Sequence, residues 1–139
     1  MANRFYMKYL HHVDIGDVNI LSNTVKAVLV SNAYTPDTTA TGHEFLSSVT
    51  GVIATSSAFS GKTEIAGNFT AANITFAAVA SGSTALYIVL YIDTGVAGTS
   101  ILIGLIDTAS SQGLGALPLN TNGGDISVQW DTANGIYTL

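Results

Sequence analysis

The chain has 139 residues, no Cys, and only four Lys and Arg against nine Asp and Glu. That length accommodates one domain with a core of its own, and a hydrophobic fraction of 47% excludes a disordered chain. The net charge of −5 argues against a nucleic-acid partner, because Arg4, Lys8, Lys26 and Lys62 are too scattered to neutralise phosphates, and without Cys there is neither a disulfide framework nor a thiolate metal site.

In chain order, Asn3 is placed to cap a short helix from Arg4 to about Val13, with Phe5 and Tyr9 on one face and Tyr6, Leu10 and Val13 on another. A helix this short is marginal alone and must dock on its own domain or on a neighbour. Gly16, Asp17 and Asn19 break it, and β-branched residues in Thr24–Val30 predict the first strand. Turn chemistry from Ala33 to Gly42, including Tyr34-Thr35-Pro36-Asp37, predicts an exposed loop. His43–Ser48 reads as a helical turn and Gly51–Phe59 as a strand. Thr63–Ile65 is a short strand, and Asn73–Phe76 resumes an extended pattern.

From Thr84 to Asp93, Leu86, Ile88, Leu90 and Ile92 alternate with Tyr87, Val89 and Tyr91, so both faces need cover: this is a central strand, or one face is an interface. The short link Gly95–Thr99 predicts a hairpin with Ser100–Asp107. A loop over 110–122 ends in Asn122-Gly123-Gly124-Asp125, ahead of Ile126–Trp130, whose alternation implies one wet and one dry face. Asn134-Gly135 then turns into a last strand, Ile136–Leu139. The expected fold is all-β: a single-domain β-sandwich or barrel-like domain of about seven or eight strands, with a short N-terminal helix over 1–13 and the β domain over 24–139.

No targeting or membrane segment is expected. The opening residues lack the apolar stretch of a signal peptide, and the longest apolar run, Ala85 to Ile92, falls far short of the roughly 20 residues of a spanning helix.

The residues that could carry chemistry each have a simpler reading. Asp93-Thr94-Gly95 looks like the Asp-Thr-Gly motif of aspartic proteases, but the similar apolar-Gly stretch Ile101–Gly104 follows within ten residues and breaks that family's topology, leaving Asp93 as a residue that ends a strand and begins a turn. His11, His12 and Asp14, and His43 beside Glu44, are metal-competent, yet adjacent His side chains diverge on a helix and no third ligand is spaced to join them. There is no nucleophile elbow, and Gly113–Ala116 and Gly123-Gly124 lack the context of a phosphate loop. The expectation is therefore no catalytic residue, no cofactor and no metal.

The shortage of charge is the most informative number. A monomer of this mass exposes about 6,800 Å² and a soluble surface is roughly 25–35% charged residues. Here 9% of residues are charged. Part of the exterior is accordingly expected to lie against other chains, with Phe5, Tyr6, Tyr9, Leu10, Tyr34, Tyr87 and Tyr91 as interface candidates. Trp130, Tyr87 and Tyr91 would alternatively suit a carbohydrate- or receptor-binding module.

The opening Asn3–Leu10, the stretch Leu21–Val30, Tyr34–Asp37 and His43–Leu46 resemble a family of small tailed-bacteriophage virion proteins, and Gly61-Lys62-Thr63, Asp93-Thr94-Gly95 and Asn122–Asp131 match the same pattern. The likeness runs over nearly the whole chain. It implies a non-enzymatic structural protein, a capsid decoration or cement protein of the phage head surface, made in the host bacterial cytoplasm. Its implied partners are the major capsid protein and further copies of itself. A tail or head fibre module is the alternative virion role.

Overall fold

The computed structural model describes residues 4–107, 117–130 and 135–138. Among these residues eleven strands and one α-helix are formed: β1 Arg4–Phe5, α1 Met7–Asp14, β2 Val25–Ser31, β3 Val52–Thr55, β4 Thr63–Ile65, β5 Asn68–Thr70, β6 Ile74–Phe76, β7 Thr84–Ile92, β8 Leu102–Ile106, β9 Leu119–Asn120, β10 Ile126–Val128 and β11 Tyr137–Thr138. The fold is all-β with one short helix. The main sheet has the order β1-β8-β7-β2-β3, with β9 alongside the start of β7, and it is open rather than closed into a barrel. Two small sheets, β11-β5-β4 and β10-β6, complete the pairing.

The apolar run on both faces of β7 is explained by its place between β8 and β2, antiparallel to each. On one face Ile88, Leu90 and Ile92 pack with Ala27, Leu29 and Ile103 of the main sheet and with Phe69, Phe76, Val128, Trp130 and Ile136 of the small sheets and their flanks. On the other, Val89 and Tyr91 join Val28, Val30, Leu102 and Leu105, and the cover comes from Tyr6, Tyr34 and Val49. Both faces of β7 are thus filled by this chain. The alternation predicted for Ile126–Trp130 holds, with Ile126, Val128 and Trp130 buried and Ser127 and Gln129 exposed.

The chain start departs from expectation. Arg4 and Phe5 are strand residues, opposite Leu105 and Gly104, and the Tyr6 N–H donates to Ile103 O at 3.1 Å. Helix α1 begins only at Met7. The exposed edge of β8 offers ladder hydrogen bonds and two faces of apolar contact, which outweigh the weak helix preference of a two- or three-turn segment. Tyr9 then packs into the core from α1, so the helix docks on its own domain. The predicted helical turn at His43–Ser48 is a 3-10 turn at Leu46–Ser48, and the long strand expected over Gly51–Phe59 shortens to β3. Strand β5 was hidden in the sequence because its three residues follow directly on the turn at Ala66-Gly67. The Asn3 cap and most of the 110–122 loop lie outside the described residues.

Candidate interaction surface

The site question turns on which side chains this fold leaves available. Four of the seven aromatic and apolar interface candidates are interior: Tyr6, Tyr9, Tyr34 and Tyr91 are each at most 3% exposed. A ring already packed inside its own chain has no area left for a partner, so the surface role expected of these four is corrected. Phe5, Leu10 and Tyr87 are half-buried, packed against the two core clusters. The sugar-stacking reading meets the same obstacle. Trp130 is buried against Phe59, ring centroids 5.6 Å apart, and its Nε1–H donates to Ala72 O at 3.1 Å.

The buried hydroxyls form a directed chain. The Asp37 backbone N–H points at His43 Nδ1 at 3.3 Å, which makes Nδ1 an acceptor, so the Tyr34 hydroxyl donates to it at 2.8 Å. The Tyr34 oxygen in turn accepts from the Tyr6 hydroxyl at 2.8 Å. Burial pushes the Tyr6 phenol well above its ordinary value, and its bond to Tyr34 acts in the same sense, so it stays a donor. This relay pins the 33–43 loop to the chain start. Asp37 tightens the loop further: its carboxylate accepts from both the N–H and the hydroxyl of Thr39, which hold it below the usual carboxylate range.

A second polar cluster sits at the other end of α1. His12 is buried, with Nδ1 2.8 Å from Asp17 Oδ2 and Nε2 2.8 Å from Glu44 Oε1. An imidazolium donates to both carboxylates and a neutral ring to only one. Lys8 Nζ lies 3.8 Å from the other Glu44 oxygen. Both ring nitrogens of His12 are therefore spent on protein carboxylates, and among the described residues no three acidic or imidazole groups are arranged to hold a metal ion.

Asp93 begins the β7–β8 turn. It accepts from the Gly95 N–H at 2.9 Å and pairs with Lys26 Nζ at 2.9 Å, and the Lys26 contact above all holds its carboxyl below the ordinary range. The same contact raises Lys26. Asp107 is approached by Arg4 at 3.9 Å.

Six large apolar side chains remain on the outside of the described residues. Met7, Ile15, Leu21, Val52, Ile65 and Val96 are 46–74% exposed, Ile65 the most. None of these was among the interface candidates read from the sequence. The available signal was a large apolar residue set inside a turn, as in Ile65-Ala66-Gly67 and Gly95-Val96-Ala97-Gly98, where burial is hard to arrange. Neither a protein-family model nor a characterised protein sequence matches this chain.

Proposed function

We propose that this protein is a non-enzymatic virion component of a tailed phage, a decoration protein that binds the major capsid protein lattice and stabilises the head. The observation that carries the reading is a chain with only 9% charged residues, from whose described surface six large apolar side chains stand out. Such a surface is suited to burial against protein, at roughly 25 cal/mol per Å² of apolar area removed from water. Repetition around a lattice makes a modest contact effective through avidity. The resemblance of Asn3–Leu10, Leu21–Val30 and Asn122–Asp131 to small phage virion proteins adds the kind of partner. The ionisable groups support a structural role, because His12, His43, Asp37 and Asp93 are each committed to holding a loop or turn.

Cryo-electron microscopy of the virions tests this. The expected result is density for this fold repeated over the outer face of the head. Density confined to the tail, or none on the particle, overturns the decoration role.

A further inference from the structure

Four of the six large apolar residues exposed among the described residues stand on three segments that meet at one end of the main sheet. Ile15 and Leu21 lie on the 15–24 link between α1 and β2, Ile65 at the tip of the β4–β5 hairpin, and Val96 in the β7–β8 turn. The link is their common neighbour. The Asp93 N–H donates to Thr24 O at 2.8 Å, the Lys62 ammonium reaches Asn23 O, and Val18 and Ile20 face Glu64 and Gly67 across a cleft of about 310 Å³.

Both tips are held in place before any partner arrives. In the β7–β8 turn the Ser100 hydroxyl accepts from the Thr94 N–H at 3.1 Å and donates to Val96 O at 2.9 Å, and the Ser47 N–H holds Ala97 O at 3.1 Å. In the β4–β5 turn the left-handed pair Ala66 and Gly67 is closed by a bond from the Gly67 N–H to the Glu64 carboxylate. Rigid apolar tips lose little entropy on docking.

Charge selects the occupant. Asp14, Asp17 and Glu64 are exposed at this end. The nearby cations are already bonded within the chain, Lys26 to Asp93, Lys8 to Glu44 and Lys62 to Asn23 O. A second copy of the same end would set acid against acid, and anionic lipid or nucleic acid would be repelled. We infer that this end docks onto a protein surface whose apolar pockets are bordered by Lys and Arg. The inference deepens the virion reading, on which it relies only for naming the shell subunit as that partner.

Carboxylate-to-lysine zero-length cross-linking of intact virions, read by mass spectrometry, tests it together with variants of the full chain. Links from Asp14, Asp17 or Glu64 to lysines of the major capsid protein support both the docking end and the decoration role. Links from these residues to a tail protein keep the docking end and remove the decoration role. Links to other proteins arising only from Asp37 or Asp125, or no link at all, overturn the docking end. In parallel, Ile65→Asp combined with Val96→Asp should weaken incorporation by about tenfold or more. Val52→Asp, near the far end of β2 opposite Val30, should leave it unchanged. Circular dichroism and Tm confirm that the exposed-site variants fold, and incorporation of the double variant at the level of the parent chain overturns the inference.

Discussion

The Tyr6 hydroxyl has one partner, the Tyr34 oxygen, and both rings are within 2% of complete burial. Removing one hydroxyl from such a chain strands the other, at a desolvation penalty of roughly 1–3 kcal/mol. Tyr34→Phe should therefore lower unfolding free energy by about that amount in urea titration, whereas Tyr87→Phe, at a half-buried ring, should change it by no more than about 0.5 kcal/mol. The Lys26–Asp93 pair makes a pH prediction. The Asp93 carboxyl titrates lower in the folded chain than in the unfolded one, so its contribution is complete above the ordinary carboxylate value, near 4, and disappears as pH falls through the depressed value. Lys26 is raised, so its share is complete below the ordinary lysine value, about 10.4, and disappears as pH rises through the elevated one. Such a pair at the surface is worth up to about 1 kcal/mol. Thermal melts should show Asp93→Asn losing less stability than the parent between about pH 5 and pH 2, with the two converging at the acid end.

Elements here are short, and their form is settled by neighbours. Arg4 and Phe5 are strand because β8 has an open edge, and Tyr6 and Tyr9 are then carried into two separate cores. Deleting residues 1–13 should accordingly cost the chain its cooperative unfolding transition, rather than simply shed an appendage. At the β4–β5 hairpin, Ala66 adopts φ 52° before Gly67 at φ 88°, a pairing that favours Asn at the first position. Ala66→Asn should raise stability by about 0.5–1 kcal/mol in the same titration. In the 33–43 loop, a Cβ on Gly42 would stand 2.4 Å from Asp37 O and its carboxylate oxygen. Gly42→Ala should destabilise by roughly 1–3 kcal/mol and expose the Tyr34 ring, visible as increased tyrosine quenching.

Across the whole molecule, one open sheet is covered on one side by two small sheets and on the other by the chain start and the 33–50 segment. Phe69, fully buried at the centre of β11-β5-β4, ties that small sheet to the main one. Phe69→Ala should remove about 3–5 kcal/mol, a large share of the stability of a domain this size. Much of this was legible in the residues themselves. Period-two alternation and β-branching mark β2, β7, β8 and β10, and Gly with Thr, Ser and Asn marks the turns, because these preferences act over a few bonds. The short, weakly patterned pieces were not legible: Arg4–Phe5 reads as helix, and Asn68–Thr70 carries no strand pattern of its own, until another strand offers them hydrogen bonds. The division of apolar residues between core and surface was least legible of all. Tyr6, Tyr9, Tyr34 and Tyr91 carry the same local signal as an interface aromatic, and only packing at long range, which places β7 centrally and brings the 33–50 segment over it, turns them inward. Local chemistry alone thus determined an all-β, charge-poor chain that must hide apolar area. The tertiary structure decided which area is already hidden, because burial depends on what the rest of the chain brings into contact.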